Sequence, residues 1–185
     1  MQKRVSDLPP LLEPGVHGIS LQWLEEKCVA AFPLSRTRPH VLEGLKRIIR
    51  LLEEVSVPCT LIIDGSFLTE EIDPLDVDFA VCVTADFYEA CDPVQLKVLE
   101  LIRDSFEIKQ THLCDCYLCV EYPEDHPQWF DGIQDRASWV NLFSTSVVYK
   151  MIRGVGAIVL RVLRHEYTTG SGKQAEDYGR FHWKA

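Results

Sequence analysis

Long apolar runs are missing from this sequence, and so is any excess of positive charge. No stretch approaches the roughly 20 consecutive apolar residues that a membrane-spanning helix requires. Met1 to Asp7 carries a little positive charge but has no apolar segment behind it of the kind found in a secretory leader. The expectation is a cytoplasmic protein with no membrane partner. The 19 Lys and Arg stand against 28 Asp and Glu, a net charge of −9. That balance argues against an extended DNA-binding surface, which needs clustered basic side chains to displace phosphate counterions. It does not argue against a nucleotide, because a divalent cation can supply the missing positive charge.

A disulfide framework is also lacking. The 7 cysteines are an odd number without the regular spacing of a small secreted domain. Cys114, Cys116 and Cys119 form the one cluster, and a metal is the alternative reading for it. No second Cys pair stands at zinc-finger spacing, however, and on a strand Cys116 and Cys119 point to opposite faces. Buried, reduced thiols are the expectation.

What is present suits one domain. With 185 residues, 46% of them apolar, the chain can bury a full core. We place a single domain at 1–163, with an irregular, Pro-rich arm over 1–20 and a polar, flexible tail over 164–185. Ser20 is placed to cap a helix from Leu21 to about Phe32. Behind Pro39, the residues Val41, Leu45, Ile48, Leu52 and Val55 recur at steps of three and four, marking an amphipathic helix. Cys59 to Ile63 reads as a buried strand and Asp76 to Val83 as a second. Asp92-Pro93 opens a helix whose stripe is Val94, Val98, Leu101 and Ser105 or Phe106. A third strand over about Thr111 to Glu121, a helix around Ala137 to Phe143 and a last strand over Ala157 to Leu163 complete the order. This is an α/β or α+β fold, a small mixed sheet flanked by helices.

One segment carries chemistry. The first strand ends in Asp64-Gly65-Ser66, where glycine admits close approach to the backbone and serine adds a hydroxyl, together an anion pocket. Asp76 and Asp78 follow, two residues apart, so on a strand both carboxylates project from one face. Like charges that close repel unless a cation lies between them, and Mg²⁺ takes one or two carboxylates plus substrate phosphates. Other conspicuous residues read as structural: His17 as a turn-stabilising side chain, Trp23 as core, Trp129 and Phe130 as loop anchors.

Gly65-Ser66, nine intervening residues and Asp76-Val77-Asp78 resemble the signature of the DNA polymerase β-like nucleotidyltransferase superfamily. The wider stretch Ile63 to Thr69 and Pro74 to Asp78, with Pro14-Gly15-Val16-His17 upstream, is similar to a small bacterial nucleotidyltransferase-like family of unassigned function. The resemblance is clear over Leu12 to Val83 and loose beyond. It implies Mg²⁺ as cofactor in a two-metal site, a nucleoside triphosphate as substrate and Asp76 and Asp78 as metal ligands. It also implies a third carboxylate on a neighbouring strand. Asp115 is the candidate, since an unpaired Asp among apolar neighbours would be costly, with Glu121 in reserve. Gly65 and Ser66 would bind the β- and γ-phosphates, and Asp76, Asp78 and Asp115 would be catalytic. The acceptor is open: a protein side chain, an RNA end or a small hydroxyl compound.

Two features depart from that pattern. Glu70, Glu71 and Asp73 make the linking segment acidic, and no Lys or Arg lies inside the motif to meet the phosphates. Arg136, Lys150 and Arg153 are candidates to supply that charge. The alternatives are a catalytically inactive nucleotide- or partner-binding module, such as a defence or toxin–antitoxin component, and metal-dependent phosphate-ester hydrolysis.

Overall fold

The computed structural model describes residues 8–129, 136–144 and 154–160. Five strands form one mixed sheet in the order β1-β5-β2-β3-β4. They are β1 (Gly15–Gly18), β2 (Cys59–Asp64), β3 (Val77–Thr84), β4 (Cys114–Glu121) and β5 (Gly154–Leu160). β2 runs antiparallel to both β3 and β5, while β3 pairs parallel with β4 and β1 parallel with β5. A parallel β3–β4 pair cannot be closed by a hairpin and needs a crossover. Three helices supply it: α3 (Ala85–Glu89), α4 (Pro93–Arg103) and α5 (Ser105–His112).

The α+β class read from the sequence is the observed one. Helix α2 (Arg38–Glu54) buries Val41, Leu45, Ile48 and Leu52, with Leu42 and Ile49 beside them. Its apolar face meets Leu61, Ile63, Phe79, Val81, Cys114 and Cys116 of the sheet in the larger core. The opposite face carries Ile62, Ala80, Cys82 and Cys119 under Trp139 of α6 (Arg136–Ser144). The sheet is therefore sandwiched, and its alternating residues serve two cores.

Several elements differ from expectation. The arm expected to be irregular contributes β1, whose backbone is satisfied by β5 across the chain. The first helix begins as α1 (Leu21–Leu24), with the Ser20 hydroxyl accepting from the Trp23 amide, and continues as a π-helical segment (Glu25–Ala30). Thr84 caps α3, whose five residues carry too little periodicity to register in the sequence. The stripe assigned to the next helix is shifted. Val94 is 61% and Phe106 73% exposed, and the buried residues are Val98, Leu99, Ile102 and Ile108. A break at Asp104 starts α5, so the expected third strand begins at Cys114 rather than Thr111. Trp23 is half-buried at the core's edge, and His17 bonds the Glu13 carbonyl at 2.8 Å, the turn-stabilising role expected. Trp129 is exposed. Phe130, the end of the expected last strand and the tail over 164–185 lie outside the described residues.

All seven cysteines are free, and all but Cys91 are buried. Burial pushes the thiols of Cys28, Cys59 and Cys116 up to about 12, and that of Cys114 upward as well. A native-state thiol titration should find Cys91 reacting first and the buried six only on unfolding. Unfolding lets these thiols ionise at their usual value near 9, so the stabilisation is whole below pH 9 and is lost as pH rises toward 12. Urea midpoints should fall steadily across that window, and replacing Cys59 with Ala should flatten the fall.

Candidate phosphate and cation site

β2 ends at Asp64, and the chain turns at Gly65 with φ +88° and ψ −172°. Side-chain-bearing residues are excluded from that conformation. There is a second reason for glycine: a Cβ there would lie 2.0 Å from Oδ2 of Asp78. The Asp78 carboxylate thus rests directly against the backbone of the turn. Ser66 opens a short 3-10 turn (Ser66–Leu68) and is half-buried, reachable from solvent.

Strand register assembles the acids. Asp64 pairs with Asp78 across the antiparallel ladder, and Asp78 pairs with Asp115 across the parallel one. Paired residues share a face with Cβ atoms about 5 Å apart, so three carboxylates stand in a row across β2, β3 and β4. The row lies at the strand ends, on the face that Trp139 covers further along. Asp76 sits one residue before β3 and is buried, as are Asp64 and Asp115. Glu121 pairs with Thr84 at the far end of the ladder, away from this row.

A cation already lies among them. Lys109 of α5 places Nζ 2.8 Å from Oδ2 of Asp76 and also donates to Oδ2 of Asp115. Helix α5 ends at Leu113 in the left-handed region (φ 56°), an uncommon conformation for leucine, and the Leu113 carbonyl accepts from the Val77 amide at 3.1 Å. That bond ties the start of β3 to the start of β4 and brings Lys109, one helical turn earlier, over Asp76 and Asp115. Nothing in the sequence pointed to Lys109, because the contact spans an unrecognised helix. Lys150 and Arg153 lie outside the described residues, as does the side chain of Arg136.

The segment linking Ser66 to Asp76 is held from behind. Arg38 is fully buried, with its guanidinium 3.7 Å from the Phe32 ring centre. It donates to the carbonyls of Cys28, Phe67, Thr69 and Glu71. The acidity of this segment is also partly spent elsewhere. Asp73 accepts from the Arg36 amide at 2.7 Å and from Ser35 and Thr37, which hold its carboxyl below the usual carboxylate range. It serves the start of α2.

The donors here are of the kind Mg²⁺ prefers. They are hard carboxylate oxygens, and one cation, the Lys109 ammonium, bridges two of them. Among the described residues, no three His, Cys, Asp or Glu side chains are grouped to hold a metal by themselves. Mg²⁺ seldom needs such a cage: one or two carboxylates with substrate phosphates suffice. The residues fit a metal that arrives with phosphate. They do not form a preassembled three-carboxylate site.

A family model described as a family of unknown function (DUF6932) matches residues 6–159. The chain belongs to that family. Its match spans β1 to β4 and β5 as far as Val159, with the Gly65 turn, the acid row and Lys109 all inside it. No curated protein and no solved structure matches the chain. Among the described residues, no helix is long and apolar enough to cross a membrane.

The turn should not tolerate a methyl group. Gly65→Ala is expected to cost about 2–3 kcal/mol, from an unfavourable φ and a carboxylate driven aside. Urea denaturation measures this loss. Gly18→Ala, where an added Cβ meets nothing within 4 Å, is the control and should cost well under half as much.

Proposed function

We propose that the chain is a Mg²⁺-dependent nucleotidyltransferase that moves a nucleotidyl group from a nucleoside triphosphate to a hydroxyl acceptor. The observation that carries this reading is the Asp78 carboxylate lying on the Gly65 backbone, with Asp115 in register beside it and Asp76 sharing a cation with Asp115. A glycine turn and hard anionic oxygens therefore adjoin one another, the two kinds of group that a metal–triphosphate substrate would engage.

In this reading the Gly65 backbone and the Ser66 hydroxyl bind the β- and γ-phosphates. Asp76, Asp78 and Asp115 hold Mg²⁺, which when bound neutralises charge developing on the phosphates and the leaving pyrophosphate. Asp115 orients the acceptor hydroxyl and draws on its proton. Arg38 keeps the linking segment fixed, so that the turn and the acids stay in place without reorganisation. The acceptor hydroxyl belongs to a protein side chain, an RNA end or a small compound.

The test uses the purified chain with ATP, GTP, CTP and UTP, with and without Mg²⁺. We expect one triphosphate to raise the melting temperature, with a stabilisation of about 2.7 kcal/mol at a hundredfold excess over Kd. Pyrophosphate release should depend on Mg²⁺. If no triphosphate alters melting under either condition, nucleotide binding is refuted. One observation favours a second reading: Lys109 already neutralises Asp76 and Asp115, as in a binding module that has lost the chemistry. Stabilisation by nucleotide with no pyrophosphate release would identify that module. Release of monophosphate without labelling of any acceptor would identify hydrolysis.

A further inference from the structure

Resting on the nucleotidyltransferase reading, we propose that Lys109 is a resident cation that exchanges for the divalent metal. Metal binding alone is then weak, and it becomes tight only when triphosphate arrives with it. Lys109 contacts Oδ2 of Asp76 and Oδ2 of Asp115, oxygens of the kind a Mg²⁺ ion would take. The ammonium and the metal therefore compete for the same ligands.

The exposures of the three side chains set the direction of exchange. Those of Asp76 and Asp115 are 10% and 13% exposed, that of Lys109 35%. The carboxylates are fixed and sheltered, and their charge needs a cation at all times. The lysine reaches them on a flexible stem from the last turn of α5 and is the most exposed of the three, so it is the partner that moves. A bare metal ion entering the site takes the Asp76 and Asp115 oxygens from that ammonium and offers no acceptor in return. A metal entering with a triphosphate supplies new acceptors in the phosphate oxygens, beside the place the lysine has just left. No covalent bond changes. The exchange transfers one ammonium from carboxylates to phosphates, and Lys109 becomes the basic group that the motif itself lacks.

Thermodynamic linkage makes the consequence measurable: triphosphate should raise metal affinity and metal should raise triphosphate affinity by the same factor. Mn²⁺ serves as a paramagnetic substitute for Mg²⁺ in an EPR titration of the full chain. Non-hydrolysable α,β-methylene analogues of the four triphosphates are used with it. In the wild type, Mn²⁺ affinity should rise roughly tenfold or more when the preferred analogue is present. Lys109→Met should bind Mn²⁺ alone roughly tenfold tighter than wild type, with most of the dependence on the analogue gone. Its melting temperature should be lowered in EDTA and recovered by Mn²⁺, a recovery that a merely structural lysine would not show. If Lys109→Met does not fold, Lys109→Gln, which keeps a donor without the charge, carries the same comparison.

Equal or weaker Mn²⁺ affinity in the variant overturns the exchange. A wild type that binds Mn²⁺ with triphosphate and releases pyrophosphate, while the variant's affinity is unchanged, removes this inference and leaves the proposed reaction standing. A wild type that takes up no Mn²⁺ even with every analogue removes both.

Discussion

Arg38→Met should destabilise the fold by about 4 kcal/mol or more, enough to leave the variant largely unfolded at moderate urea concentrations. The guanidinium is fully buried and directs its donors at the backbone carbonyls of Cys28, Phe67, Thr69 and Glu71. No carboxylate accepts from it among these bonds. Methionine would fill much of the volume between Phe32 and Phe67 but satisfy none of the carbonyls. Each buried acceptor left without a donor costs about 1–3 kcal/mol. Arg38→Lys should recover little, because an ammonium cannot span the fork of carbonyls that the planar guanidinium reaches. Chemical denaturation monitored by tryptophan fluorescence measures both. A loss under about 1 kcal/mol would mean that the segment 67–71 is held by other contacts. The same variants should lose nucleotide-dependent stabilisation before they lose the fold, since the segment they release is the one that sets the Gly65 turn.

Asp78→Asn should lower pyrophosphate release about a thousandfold while leaving the melting temperature within a few degrees of wild type. The side chain keeps its shape, so the contact with Gly65 and the register with Asp64 and Asp115 are preserved. What changes is charge. One of three aligned carboxylates becomes neutral, which relieves repulsion within the row and weakens metal binding at the same time. Asp76→Asn should act in the same direction and also loosen Lys109. A single-turnover assay with the preferred triphosphate is the measurement. Undiminished turnover in both variants would exclude the proposed mechanism, whatever the nucleotide binding.

Much of the framework was legible because local rules suffice for it. Helix α2 declared itself by periodicity and Asp92-Pro93 marked the start of α4, where the structure adds a capping box between Asp92 and Gln95. The apolar runs of β2 and β3 could be read as strands, as could their placement at either end of the Gly65-to-Asp78 motif. The differences have separate causes. The break at Asp104 resets the rotation and turns Phe106 outward, whereas Val94 stands exposed in the first turn of α4, ahead of the buried Val98. Strand β1 offers four residues, two of them glycine, and no periodic signal; it is a strand because β5 lies beside it.

By itself the sequence determined the chemistry available: a glycine-serine turn, two aspartates at the spacing of a strand face, cysteines that belong in a core and a fold of helices on a small sheet. These follow from bond geometry and side-chain period over short distances. Tertiary structure alone decided which charges meet. Asp64 joined the row because β2 and β3 are antiparallel in one particular register, and Asp115 joined it because β4 lies parallel at the edge. Lys109 reached Asp76 and Asp115 because a left-handed leucine ends α5 where it does. Electrostatic pairing depends on distance in space, and the distances that matter here are fixed by strand order and helix ends.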